Sequence, residues 1–260
     1  MRFPIANNAG YSGLRNESLD PSSRASDVKE TFNLSDSNDG QVQNLSGVLE
    51  ERRSELEEFR RLCRGLCARL LMLLEQGLGT PEKWFVSRHE GQGTTGSVLR
   101  LLHYPPLERE DVLDGNGDVD VRAGAHSDYG SVTLLFQQEG QPGLQVRGAD
   151  GWEDVVVDPE GKGKVPVLVN IGDLLSYWTG GLLRSTVHRV VFPNGVGKDR
   201  YSIAYFYHPL DHVELEPVPS PIVRQFVEEK GKVRGEDDAS KTLTAKGHLL
   251  SRLEATYGKK

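Results

Sequence analysis

The sequence predicts a mainly β fold with flanking helices, a jelly roll or barrel, on three observations. From about residue 97 the apolar residues recur with a period of two in short runs. Turn signals rich in Gly, Pro and Asn separate those runs. Before and after them the period lengthens to three and four, the spacing of helices. The 260 residues suffice for one large domain with a substantial core, and 37% hydrophobic with 27% charged residues is an ordinary globular composition. A formal net charge of −7 builds no basic field for nucleic acid or an acidic membrane. The longest apolar run, Leu70 to Leu74, is far too short to span a bilayer. A small molecule is therefore the expected partner, and the oligomeric state is left open.

Residues 1–47 are polar and turn-rich, and Leu34 to Gly47 reads as a loop. A long helix is predicted over 48–79. Leu56, Phe59, Leu62, Cys63, Leu66, Cys67, Leu70, Leu73 and Leu74 form its apolar stripe, with Glu57, Arg60, Arg61 and Arg64 on the exposed face. Gly77 or Gly79 can end it. Cys63 and Cys67 lie four apart on one helix face, too distant for an unstrained disulfide; they read as core thiols in a reducing, cytoplasmic setting. The β core spans 97–215. Its strand candidates are "SVLRLLHY", "SVTLLFQ", "GLQVRG", "EDVVVD", "VPVLVNIG", "STVHRVVF" and "RYSIAYFYH", with turns such as "DGNGD", "GADG" and "FPNGVGKD" between them. A helix over 241–258 closes the chain, its stripe carried by Leu249, Leu250, Leu253 and Tyr257. No internal repeat is present, so residues 1–260 read as a single domain.

The chemistry concentrates at "AHSDYG". His126 and Asp128 are two apart, so on one strand both side chains leave from one face. His188, in "RSTVHRVVF", is the best third partner. Two neutral imidazoles and one carboxylate on one side of an ion form the facial triad of non-haem iron, which leaves adjacent positions open for a cosubstrate and O2. Arg200 and Ser202, in "RYSIAYF", again share a face, along with Ala204 and Phe206. An arginine on the interior face of a strand is costly unless an anion meets it, and a guanidinium clamps a carboxylate with two parallel hydrogen bonds. His89, His103, His208, His212 and His248 lack the spacing for a second site. "NIGD", Asn170 to Asp173, reads as a turn between a strand and a helix.

With these motifs in fixed order, the chain resembles the isopenicillin N synthase-like family of Fe(II)- and 2-oxoglutarate-dependent dioxygenases, nearest its fungal branch that includes thymine hydroxylases. The similar segments are "LRLLHYPP", "VRAGAHSDYGSVTLLFQ", "GLQV", "VLVNIGDLLSYWTGG", "STVHRVV" and "RYSIAYFYHP", preceded by Gly10 to Leu34. The resemblance implies a double-stranded β-helix, with His126, Asp128 and His188 as iron ligands. It implies Arg200 and Ser202 on the distal carboxylate of 2-oxoglutarate, and Tyr104 adding a hydrogen bond to that cosubstrate. Tyr129 and Phe206 match positions that flank substrate. Ser97 stands near a place where pyrimidine-oxidising relatives want an amide, which argues against thymine as substrate.

The implied reaction consumes O2 and 2-oxoglutarate, releases succinate and CO2, and hydroxylates a small organic molecule. Asp128 argues against halogenation, since halogenating relatives have a small residue in its place. Two rivals stand beside this: an oxidase of the same fold that does not consume 2-oxoglutarate, and a truncated form without turnover. The second arises because "RFPIANNAGYSG" follows Met1 directly, where the family usually places further strands and helices. On that expectation an unpaired strand edge and uncovered apolar surface would make the chain prone to self-association.

Overall fold

The computed structural model describes residues 9–20, 26–36, 42–45, 47–106, 121–192, 198–230 and 243–257. The predicted turn at Asp114 to Asp118, the residues after Met1, and both ends of the expected 241–258 helix lie outside the described residues.

Two antiparallel sheets face each other. The larger has strand order β1 (Gly10–Ser12), β2 (Glu30–Ser35), β3 (Val98–Tyr104), β10 (Arg200–Tyr207), β5 (Val132–Gln137) and β8 (Leu168–Ile171). The smaller runs β4 (Val121–His126), β9 (His188–Val191), β6 (Leu144–Arg147) and β7 (Trp152–Asp154). From β3 onward the chain passes back and forth between the sheets, as a jelly roll requires. The double-stranded β-helix is thus the observed fold.

The period of two on β10 separates two cores. Tyr205 and Tyr207 face outward into the main cluster, with Leu99, Leu134, Leu174 and Trp178 and the helix α2 (Arg53–Leu78). Inside the roll, a smaller cluster of Tyr104, Ala123, Leu144 and Val190 lies between the sheets. The helix stripe is narrower than its spacing predicts. Cys63, Cys67, Ala68, Leu71, Glu75 and Leu78 are buried, whereas Leu62, Leu66 and Leu73 are exposed. Arg60 and Arg64, expected on the outer face, instead lean toward Asp36 just after β2. The helix also breaks at Arg52, with a short α1 (Val48–Glu51) before it, and Gly79 ends α2 at φ 65°. The left-handed conformation there is why a glycine stands at that position.

Four further differences have physical reasons. β2 lies in a stretch that reads as polar and turn-rich because its inward face is polar: Thr31 and Asn33 are buried beside Glu17 and Arg100. β4 is a strand of its own that ends at His126, so Asp128 lies in the bend before β5 and the two ligand candidates do not share one strand. "EDVVVD" is sheet only at its start: β7 is an edge strand, and past Asp154 Val156 turns out to solvent while Val157 turns in. The helix α5 (Pro221–Lys230) is absent from the sequence-based expectation. Its signal was Ser220 before Pro221, since the Ser220 hydroxyl accepts from the Val223 N–H at 3.1 Å. The C-terminal helix α6 spans Ala245–Tyr257, and "NIGD" is not the turn expected: Asn170 and Ile171 end β8 and Asp173 opens the short α4 (Asp173–Trp178).

Candidate metal centre

The centre forms where β4 and β9 meet. His126 and His188 are direct cross-strand partners, with ring centroids 4.3 Å apart. The bend after His126 swings Asp128 back toward both. Its Oδ1 lies 4.0 Å from His126 Nε2 and 3.7 Å from His188 Nε2. One ligand atom from each residue fits within 4.8 Å of the others, and among the described residues this is the one such group able to hold a metal ion.

Hydrogen bonds orient every donor. His126 Nδ1 lies 2.8 Å from the Gly124 carbonyl, and His188 Nδ1 lies 3.0 Å from the Thr186 carbonyl. A carbonyl only accepts, so each Nδ1 carries the proton and each Nε2 presents its lone pair inward. Burial, with His188 alongside, pushes the His126 imidazole down to about 3, so it is neutral and able to ligate at neutral pH. Burial alone would raise the Asp128 carboxyl. The two imidazoles and an amide outweigh it and hold that carboxyl below its ordinary value. The amide is Asn170 of β8, whose Nδ2 donates to Asp128 Oδ2 at 2.7 Å and leaves Oδ1 for a metal. This donor set fits a divalent iron.

A cavity runs from these ligands along the inside of the roll. Tyr104, Arg200, Ser202, Ala204 and Phe206 line it, as the parity of β3 and β10 predicts. Arg200 is 4% exposed. Its Nη2 donates to Gln137 at 3.3 Å, its guanidinium lies 5.2 Å from the Tyr104 ring, and its Nε is buried without a hydrogen-bond partner. A buried cation with an unmet N–H is suited to an anion.

On the other side of the metal position, a cleft is lined by Leu19, Arg100, Tyr129, Phe206, Leu249 and Leu253. Arg100 is held by Asn33 at 2.7 Å and Glu17 at 3.5 Å. Ser97 does not reach this cleft. Its hydroxyl donates to the His208 carbonyl at 3.2 Å and accepts from the His208 N–H at 2.9 Å, and it faces a separate chamber. His103 points away, stacked on Tyr201.

The residues define the class first: a jelly-roll non-haem metal centre of the facial-triad type. Residues 95–209 match the model of the 2OG-Fe(II) oxygenase superfamily. A UPF0676 protein of Schizosaccharomyces pombe is 38% identical over 256 residues, which is 96% of this chain and 71% of that protein. The proline hydroxylase buaE of Petromyces alliaceus is 33% identical, covering 89% of this chain and 69% of its own. The full-length thymine-7-hydroxylase of Neurospora crassa, solved with alpha-KG and thymine, is 29% identical with a TM-score of 0.73, over 96% of this chain and 75% of that one. The chain belongs to the 2OG-Fe(II) oxygenase superfamily. It is an Fe(II)- and 2-oxoglutarate-dependent dioxygenase that uses O2.

Proposed function

We propose that His126, Asp128 and His188 hold the iron, that Arg200, Ser202 and Tyr104 hold 2-oxoglutarate, and that the chain hydroxylates a small organic molecule seated between Tyr129 and Phe206. The observation that carries this is one cavity with two ends. Three oriented ligand atoms stand at one end, and a buried guanidinium with an unmet N–H at the other. A dicarboxylate bound at the metal by its near end meets Arg200 with its far carboxylate. Iron with 2-oxoglutarate and O2 supplies the oxidant and leaves succinate and CO2.

The protein's own part is placement. The Gly124 and Thr186 carbonyls set the tautomers, Asn170 turns the carboxylate, and the apolar lining of Leu102, Leu135, Leu144 and Leu168 excludes water. Buried free thiols at Cys63 and Cys67 support a reducing, cytoplasmic setting. The thiol of Cys63 is pushed up to about 12, chiefly by burial, and so is inert.

The test is a screen of small molecules for succinate release above the substrate-free background, with the hydroxylated product identified by mass. Succinate formed in step with a product heavier by one oxygen is the expected result. Substrate oxidation with no succinate would refute the assignment of Arg200.

A further inference from the structure

The space beside the metal is small. The Tyr129–Phe206 cleft holds about 60 Å3 and the cavity toward Arg200 about 80 Å3. Pockets that enclose a whole organic ligand run to roughly 300–1,000 Å3. A chamber of about 580 Å3 lies one residue layer away, between α2, the start of β3 and α6. Leu249 and Leu253 of α6 line both the chamber and the metal-side cleft. Gly96 and His208 belong to the same partition: a Cβ on Gly96 would lie 2.4 Å from Leu249 and 3.2 Å from His208.

Charges of both signs line the chamber, and the local excess of positive charge lies at Arg60 and Arg64. Lys246 is paired with Asp211 at 3.2 Å. Arg53 is paired with Glu50 at 2.6 Å and lies 3.8 Å from Glu57. Arg60 and Arg64 share a single carboxylate, Asp36, at 3.7 and 2.5 Å. The other Asp36 oxygen already accepts from the Tyr205 hydroxyl at 2.5 Å. Arg60 also donates to the Ser35 carbonyl, yet its Nε is buried without a hydrogen-bond partner. Two guanidinium groups thus face one carboxylate, beside an apolar wall of Leu56, Leu249 and Leu250.

From this we infer that the chamber takes the acidic far end of an elongated substrate. An organic acid places its carboxylate at Arg60 and Arg64, and its apolar body reaches the metal-side cleft by displacing the side chains of Leu249 and Leu253, which close the partition in this structure. This rests on the reading of the metal centre given above. The magnitudes favour it, because the metal-side cleft alone encloses only a few atoms.

The experiment uses the full chain with Mn(II) and 2-oxoglutarate, and decanoate with 1-decanol as probes. Loss of the free Mn(II) resonance signal on adding protein is measured first, so that failure of the metal centre is seen separately. Decanoate is expected to bind about tenfold more tightly than decanol, the effect of one charge-assisted hydrogen bond. Arg60→Gln should remove that difference by weakening decanoate alone, while Leu250→Trp, which fills the chamber, should weaken both. Relaxation by Mn(II) should be strongest at the decanoate methyl and weakest beside its carboxylate. Equal affinity for acid and alcohol, an affinity that neither substitution moves, or relaxation strongest at the carboxylate end would overturn the inference.

Discussion

Asp128 uses its two oxygens for different tasks. Oδ2 is held by Asn170, and Oδ1 faces both Nε2 atoms. Removing any of the three ligands leaves two donors, too few to fix a divalent ion against water. His126→Ala, Asp128→Ala and His188→Ala are therefore expected to lose stoichiometric Fe(II) in anaerobic dialysis. A variant that kept it would dismiss the three-ligand reading. Asn170→Ala should be milder, about ten- to a hundredfold in metal affinity, because it acts only through Asp128. Arg200→Gln should weaken 2-oxoglutarate by about ten- to a hundredfold and leave metal affinity alone. An unchanged cosubstrate affinity in calorimetry would move the clamp elsewhere. His188, Arg200 and Ser202 were legible because each stands out chemically in a strand-like run of period two, and His126 through its two-residue spacing to Asp128 just before such a run. Asn170 stands in such a strand too, "VLVNIG", and a lone amide there needs a partner. The turn reading of "NIGD" hid it. Gln137, at the end of β5, carried no signal at all.

At the scale of elements, one buried carboxylate joins two helices. Glu75 is 3% exposed within the apolar face of α2. Its Oε1 accepts from the N–H groups of Phe85 (2.6 Å) and Val86 (3.0 Å), and its Oε2 from that of Lys83 (3.0 Å). These are donors at the start of the short α3 (Val86–His89), which its own backbone cannot satisfy. Glu75→Ala should cost about 3 kcal/mol, since it leaves the buried Phe85 N–H and the part-buried Lys83 and Val86 N–H groups without the carboxylate. The check is the urea midpoint, with 2-oxoglutarate affinity expected to hold. A midpoint within error of wild type would show that water replaces the carboxylate. The helical period located α2 but could not show which of its two polar rows turns inward. That depends on Asp36, which is distant in sequence and attracts Arg60 and Arg64. Similarly, β10 was plain from alternation, whereas β2 was hidden because its face toward the inside of the roll, Thr31 and Asn33, is polar.

For the whole molecule, the buried histidines set how stability follows pH. His89 joins α3 to the start of β5: its Nδ1 lies 2.8 Å from the Phe85 carbonyl and its Nε2 2.8 Å from the Ser131 hydroxyl. Burial pushes it down to about 4. Burial likewise lowers His208 to about 3 and His248 to about 4. An unfolded histidine titrates near 6.5, so between that value and the folded one the unfolded chain binds more protons. The stability these three histidines contribute is therefore complete above about pH 7 and falls as pH drops through 6.5 toward 4. For His89 alone the loss reaches about 3 kcal/mol at the acid end, from the difference between the two values. The urea midpoint of the metal-free protein should fall steadily from pH 7 to pH 4.5. His89→Gln keeps a side chain that can bond Ser131 but does not titrate. It should lower the midpoint at pH 7 and flatten the acid slope. If the variant kept the full wild-type slope, protonation of His89 would not be what opens the α3–β5 joint.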